Sequence, residues 1–250
     1  MNTHRALGTA NNNISKSMEK LSSGYRINRA GDDAAGLSIS EKMRAQVRGL
    51  TQASRNAQDG ISMIQTAEGA LNETQAILQR MRELAVQSAN DTNVTKDRTA
   101  VKEELTALKD EIDRIATSTT FNEKKLLNGD LATSAAKLQI GADKDVSMSI
   151  TINNMGSTSL SVNNIANSVS THADATAAIE TINSAIESVS EQRSKLGAFQ
   201  NRLEHTISNL DNAAENIQAA ESRVRDVDMA KEMMEMTKQN ILQQASTAML

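Results

Sequence analysis

Close pairs of acidic side chains are the first residues in this chain that could carry out chemistry. Asp32–Asp33, and likewise Asp226 with Asp228, place carboxylates near one another, and paired carboxylates can serve as general acid and general base. Aspartates also cap helices, because a carboxylate accepts hydrogen bonds from the free amides of a first helical turn. Since each pair lies beside an arginine, Arg29 or Arg225, we interpret these residues as caps and local ion pairs.

The three histidines have no recognisable catalytic or metal-binding arrangement. His4, His172 and His205 are far apart, and none has the spacing of a Ser-His-Asp triad or a metal site. The absence of cysteine excludes disulfides and Cys-based zinc sites. Ala30–Asp33 lacks the glycine and lysine pattern of a phosphate-binding loop. The sequence therefore predicts a protein that is not an enzyme, with no catalytic, cofactor-binding or metal-binding residues and no cofactor.

The composition indicates an elongated body with a thin core. Apolar residues make up 38% of the 250 residues, and Tyr25, Phe121 and Phe199 are the only aromatic residues. The absence of proline permits very long helices. A net charge of −4 with interspersed signs argues against nucleic-acid binding, and no apolar run is long enough to span a membrane. The N-terminus lacks the apolar core of a cleavable signal, so export would need another route.

Apolar residues that recur at spacings of three and four predict the helices that must position the acidic pairs and the histidines. We predict helices over about residues 34–90, 95–117 and 174–224, the first roughly 80 Å long. The third carries the strongest coiled-coil pattern in the chain. Residues 1–30 form a weaker amphipathic helix that is interrupted near Ser22–Gly24, and residues 226–250 form another amphipathic stretch.

The middle of the chain contains the β-strand pattern. Apolar residues alternate with polar ones from Val146 to Ile152, as in a half-buried strand, and residues 137–141 and 160–162 are candidate partners. We expect a small β-hairpin region over about 119–168. The predicted fold class is mainly α: an elongated antiparallel helical bundle or coiled-coil rod, with the hairpin region coming from the middle of the chain.

Five segments, in order along the chain, resemble the bacterial flagellin family. They are KLSSGYRINRAGDDAAGL at 20–37, QRMRELAVQSA at 79–89, FN with KLLNG between 121 and 129, LGAFQNRL at 196–203, and ESRVRDVDMA at 221–230. The resemblance covers nearly the whole chain, in order, and five matching segments make it far more specific than one short motif. The short middle is similar to the flagellins of Gram-positive bacteria that lack large outer domains.

The resemblance implies a structural subunit that is secreted by the flagellar type III export apparatus and polymerises with itself into the extracellular flagellar filament. It implies three parts: residues 1–33 and 226–250 in an inner layer of terminal helices, and residues 34–225 in a surrounding rod. Implied partners are a flagellar export chaperone, the filament cap and the hook-junction proteins. Flagellins usually extend about ten residues earlier and twenty later, so the chain is expected to be trimmed at both ends.

Two sets of residues are candidate contact sites. Residues 1–30 and 226–250 have no obvious intramolecular partner, so we expect both to be mobile in a free subunit and to order on assembly. Within the second segment, Met233, Met234, Ile241 and Leu242 are candidates for assembly and chaperone contact, against the alternative of plain core packing. The resemblance also places Arg80, Leu84 and Glu104 where the vertebrate Toll-like receptor for flagellin binds.

Three other functions stay open from the sequence. A hook–filament junction protein resembles flagellin at both ends, but the segments 79–89 and 196–203 favour flagellin itself. Some flagellins carry a catalytic outer domain, yet the short middle here has no metal-binding cluster. An amphipathic membrane binder is disfavoured because the terminal apolar stripes are weak and not notably basic.

Overall fold

The computed structural model describes the backbone of residues 2–248 and, within that range, every side chain except those of residues 2–4, 6 and 248. The helices are α1 Asn2–Ser23, α2 Ala34–Ser88, α3 Thr95–Ser118, the single turn α4 Asp130–Thr133, α5 His172–Arg225 and α6 Met229–Ala248, with a 3₁₀ turn at Ile165–Asn167. The strands are β1 Thr120–Phe121, β2 Lys124–Lys125, β3 Ala136–Gln139 and β4 Ser147–Ile150. The predicted fold class, mainly helical with a small β region from the middle, is confirmed.

The chain divides into two compact units. The terminal unit contains Met1–Thr51 and Leu210–Leu250, and the central unit contains Gln52–Asn209. Both α2 and α5 therefore contribute one part of their length to each unit. The division into residues 1–33, 34–225 and 226–250 stays a prediction.

The core of the central unit is built on a heptad pattern. Buried positions of α2 from Ala53 to Ser88 alternate between spacings of four and three residues, which keeps one side of a helix against its neighbours. Helix α5 runs antiparallel to α2: His172 contacts the Ala89 carbonyl, whereas Arg193 reaches Glu68, earlier in α2. Helix α3 adds a stripe of buried residues: Val101, Leu105, Ile112 and Ile115.

The two strand pairs are both antiparallel hairpins. Strand β3 pairs with β4, with Leu138 opposite Met148, and β1 pairs with β2. Met148 and Ile150 are buried while Ser147 and Ser149 are exposed, as the alternation predicts. Residues 137–141 are therefore the correct partner, and the alternative at 160–162 is wrong because that segment forms a turn. Val146 lies outside the strand and is 44% exposed.

Helix α2 carries a notch for the hairpin. A Cβ built on Gly60 would lie 2.3 Å from Cδ1 of Leu138 and 3.3 Å from Cδ1 of Leu203. The side-chain amide of Asn56 donates to the Gln139 carbonyl over 3.0 Å. The absence of a side chain at Gly60 therefore lets β3 approach α2 closely.

The terminal unit pairs the two ends of the chain. Helices α1 and α6 pack against each other, and the side-chain amide of Gln243 donates to Asn11 over 2.7 Å. The prediction that these segments lack an intramolecular partner is wrong, and the expectation that both are mobile in a free subunit loses its basis. The sequence missed this contact because the α6 side of it is mainly polar. The most enclosed positions of α1 in this contact are Leu7, Ala10, Ile14, Ser17 and Leu21.

Candidate functional site

The aspartates that could have formed a catalytic pair are engaged as caps. Asp33 Oδ1 accepts from the Gly36 amide over 2.8 Å at the start of α2. Asp228 Oδ1 accepts from the amides of Ala230 and Lys231, both over 3.1 Å, at the start of α6. These bonds confirm Asp33 and Asp228 as helix caps, whereas Asp32 and Asp226 accept instead from loop amides and from the Ser222 hydroxyl.

The loop between α1 and α2 is closed by Asp32. Its Oδ2 accepts from the amides of Arg29 and Asn28 over 3.0 and 3.2 Å. These two backbone hydrogen bonds, assisted by the charge of Lys20 nearby, hold the pKa of the Asp32 carboxyl below its usual range. The side chain is a structural anion that stays ionised at neutral pH.

The arginine partners differ from those expected. Arg29 pairs with Glu19 at 3.0 Å, and Arg225 pairs with Glu41 at 2.5 Å, so neither forms an ion pair with a neighbouring aspartate. Glu41 lies on α2, and its pKa is lowered by the hydrogen bond from Arg225. The sequence-based pairing was wrong because the guanidinium of Arg225 extends to a different helix.

A clasp joins the two interhelix loops of the terminal unit. The Arg26 amide donates to the Arg225 carbonyl over 2.7 Å, and the Val227 amide donates to the Gly24 carbonyl over 3.0 Å. The Arg225 guanidinium lies 4.9 Å from the centre of the Tyr25 ring, and that of Arg44 lies 5.9 Å from it. Gly24, at φ 75°, supplies the left-handed turn that ends α1.

The histidines form no site in the part of the chain that is described. The His172 ring lies 2.6 Å from the Ala89 carbonyl, where Nδ1 can donate, and the His4 side chain is outside the described residues. No group of three or more potential metal ligands occurs among the residues described. None of the described helices combines the length and apolarity that crossing a bilayer requires.

Helix α6 is the most unusual surface of the molecule. The positions of α6 that are partly buried where it contacts α1 are mainly polar, and they include Gln239, Gln243 and Ser246. Its large apolar side chains, apart from the partly buried Met236, are exposed instead. The exposed fractions of the candidate contact residues are 47% for Met233, 67% for Met234, 60% for Ile241 and 47% for Leu242. Core packing is therefore the wrong alternative for these four residues, and the polar side of α6 is the one that is covered.

The receptor candidates separate into an exposed ion pair and a buried residue. Arg80 donates from Nε and Nη2 to Glu104 Oε1 over 3.0 and 2.8 Å, and from Nη1 to Glu83 over 3.1 Å. The hydrogen bond to Glu104, and then that to Glu83, raises the pKa of Arg80. Leu84 is only 2% exposed, because it lies three residues after the buried Met81 on the same side of α2. Its side chain is thus unavailable as a contact in this structure.

Two positioning residues were missed from the sequence. Gln192 is 2% exposed; its side chain accepts from the Asn153 amide and donates to the Thr151 carbonyl, both over 3.3 Å. Arg193 donates from Nη1 to the side-chain oxygen of Gln75 on α2 over 2.5 Å. A polar residue at an apolar heptad position was the available signal for Gln192.

The fold and these surfaces define a mainly helical protein with exposed apolar side chains on α6. Family models for the bacterial flagellin N-terminal and C-terminal helical regions match residues 1–132 and 179–250. The chain belongs to the bacterial flagellin family.

Several relatives align with the whole chain, and three of them illustrate the similarity. It is 59% identical to a flagellin of Halalkalibacterium halodurans, with alignment over 100% of this chain and 91% of that protein. It is 53% identical to the flagellin of Bacillus subtilis, over 100% and 92%. It is 50% identical to the flagellar filament 31.3 kDa core protein of Treponema maltophilum, over 100% and 92%. These matches support the predicted short, Gram-positive type.

Two solved structures share the fold. The crystal structure of Bacillus cereus flagellin has a TM-score of 0.55 and 31% identity, covering 67% of this chain and 94% of that one. A putative flagellar hook-associated protein of Vibrio parahaemolyticus has a TM-score of 0.67, covering 78% and 100%. At 14% identity the second similarity concerns the fold alone, so the hook-junction alternative is not favoured.

Proposed function

We infer that this chain is a structural subunit that polymerises into the extracellular filament of the bacterial flagellum. The observation that carries this is the orientation of α6, which contacts α1 through polar side chains and leaves Met234 and Ile241 mostly exposed. Covering one such side chain contributes about 1.5–3 kcal/mol. A neighbouring copy that covers this face would therefore stabilise the contact by that amount for each apolar side chain covered.

Identical subunits that contact one another through different surfaces form open helical polymers. Both ends of the chain lie in the terminal unit, so α1 and α6 are brought into the polymer contact together. The family is structural, and no residue described here is assigned a catalytic role.

The test is a pair of substitutions at one exposed position. Ile241→Gln keeps the size of the side chain but makes it polar, whereas Ile241→Leu keeps it apolar. Loss of one covered apolar side chain lowers the association constant about tenfold or more. In a strain that lacks its own flagellin, Gln should release unpolymerised protein into the medium, while Leu should give normal filaments. Normal filaments with both variants would contradict the proposal.

We propose that the same face meets an export chaperone before it meets other copies. Met233, Met234 and Leu242 present thioether and aliphatic side chains that adapt to different partner surfaces. Delivery through the type III export apparatus, and contact with the filament cap and hook-junction proteins, follow from a filament subunit's route out of the cell. Met234→Gln should weaken co-purification with the chaperone, whereas Met234→Leu should not; equal recovery of chaperone with both variants would count against this role.

We further propose that the exposed ion pair Arg80–Glu104 is a contact for the vertebrate Toll-like receptor for flagellin. Arg80 is held by two carboxylates, so its guanidinium is presented in one orientation, and about half of its side chain is exposed. Arginine is enriched among the residues that dominate protein interfaces.

A reporter-cell assay tests the receptor contact with a matched control. Arg80→Ala should reduce receptor activation at least about tenfold. Arg114→Ala removes a comparable exposed arginine, paired with Glu111 on α3, and should leave activation unchanged. Equal activation by both variants would sink the assignment.

A further inference from the structure

The methionines of this protein divide sharply between its two units. Those of the central unit are buried, with exposed fractions of 6% or less: Met63, Met81, Met148 and Met155. Most of those described in the terminal unit are exposed, by 47–67%: Met18, Met229, Met233 and Met234. The thioether sulfurs of these four residues are thus open to solvent, those of the central unit are shielded, and Met43 and Met236 of the terminal unit are partly buried.

Methionine is the one sulfur-containing residue type of the chain, since it has no cysteine. A peroxide oxidises a thioether by a two-electron oxygen transfer. The sulfur lone pair forms an S–O bond, the O–O bond breaks, and the departing oxygen takes up a proton, so that hydrogen peroxide becomes water and methionine becomes the sulfoxide. Susceptibility of methionine follows its exposure, and the sulfoxide is polar where the thioether was apolar.

We propose that Met18, Met229, Met233 and Met234 form an oxidation-sensitive switch for assembly, with a peroxide as the oxidant. These four residues are called the exposed methionine set below. Sulfoxide oxygens on Met233 and Met234 would place polar groups among the exposed apolar side chains of α6 that a neighbouring copy covers, and assembly would stop. The consequence for assembly rests on the proposed filament function, whereas the susceptibility of the set rests on exposure alone.

The geometry also predicts when the switch can act. The α6 members of the set, Met229, Met233 and Met234, are open to oxidant in the unassembled subunit, where they are 47–67% exposed although α6 packs on α1. A neighbouring copy that covers α6 would shield these three sulfurs. The switch therefore acts on subunits before they join the polymer and not on those already within it.

The first experiment maps oxidation in the unassembled full chain. The protein is treated with dilute hydrogen peroxide, and its peptides are quantified by mass spectrometry over time. The exposed set should react about tenfold faster than the central methionines, in proportion to the difference in exposed fraction. Comparable rates for the two groups would overturn the proposal, and so would unchanged rates for the set after assembly.

The second experiment separates the switch from the filament function. A variant with leucine at all four positions cannot form sulfoxides there, and the polymer of each protein is compared with that of its own untreated sample, so that a change in basal assembly does not enter the comparison. Peroxide should reduce the amount of sedimenting wild-type polymer about tenfold. It should leave the amount of four-leucine polymer unchanged. Methionine sulfoxide reductases should restore the wild-type polymer. Met63→Leu, at a buried position, is the matched control and should stay sensitive.

Each remaining outcome has a defined meaning. Equal loss of polymer in the wild type and the four-leucine variant would overturn the switch and leave the filament function standing. Full assembly of oxidised wild-type protein would do the same. Failure of untreated wild-type protein to assemble would instead contradict the proposed function, and with it the consequence that oxidation has for assembly.

Discussion

The notch at Gly60 yields a stability prediction whose magnitude follows from the structure. Carbon atoms in contact are about 3.5–4.0 Å apart, whereas a Cβ at position 60 would lie 2.3 Å from Leu138 Cδ1. Gly60→Ala therefore forces the Leu138 side chain to move by more than about 1 Å. Leu203 Cδ1, at 3.3 Å, limits the space for that adjustment. Overpacking of this kind costs about 1–3 kcal/mol.

Gly69 is the matched control, because it lies in the same helix and a Cβ there would meet nothing within 4 Å. Replacing a helical glycine with alanine stabilises by about 1 kcal/mol through helix propensity at both positions. The difference between the two variants therefore isolates the steric cost. Gly69→Ala should raise the unfolding free energy by about 1 kcal/mol, and Gly60→Ala should be less stable than Gly69→Ala by about 1–3 kcal/mol.

Thermal unfolding followed by circular dichroism measures this difference. A cost of this size lowers the Tm of Gly60→Ala relative to that of Gly69→Ala by about 2–12 °C. Combining Gly60→Ala with Leu138→Ala removes the clash, so the double variant should be more stable than the sum of the single effects. Equal stabilisation by Gly60→Ala and Gly69→Ala would refute the close packing of β3 on α2.

Two further predictions concern the terminal unit. Tyr25→Leu removes the aromatic ring that lies against the guanidinium groups of Arg44 and Arg225, and should weaken the clasp by about 0.5–2 kcal/mol. Amide hydrogen exchange in α1 should become faster in Tyr25→Leu and stay the same in Tyr25→Phe. Unchanged exchange in Tyr25→Leu would contradict this. For Asp32 the folded pKa is depressed, so its contribution to stability is present above the unfolded pKa and is lost as pH falls through the folded value. In a pH titration, the amide resonances of Asn28 and Arg29 should therefore shift with a midpoint below about pH 4. Asp32→Asn should abolish this shift. A midpoint at or above the ordinary pKa of aspartate would be inconsistent with the hydrogen bonds described.

The long helices could be predicted because their patterns are local. The stripe in α2 repeats over many turns, and the predicted bounds of 34–90 lie within two residues of the observed Ala34–Ser88. The caps were equally accessible, since Asp33 and Asp228 each accept from amides two or three residues later. Short-range geometry of this kind depends on few atoms and tolerates uncertainty about the rest of the fold.

Contacts between distant segments could not be predicted in the same way. The packing of α1 on α6 covers apolar positions of α1 but mainly polar positions of α6, such as Gln243, so the apolar spacing of α6 carries little signal for it. The ion pair between Arg225 and Glu41 joins residues far apart in the chain, and a local reading chose nearby carboxylates instead. The burial of Leu84, by contrast, could be predicted from its three-residue spacing to Met81.

Complementation of a flagellin-deficient strain tests whether this chain is a filament subunit. The full gene from which the chain comes is expressed in a strain that lacks its flagellin, and the cells are imaged by negative-stain electron microscopy. If the chain is a filament subunit, the cells should carry long attached filaments and should swim again. Bare hooks, with the protein exported into the medium, would contradict it.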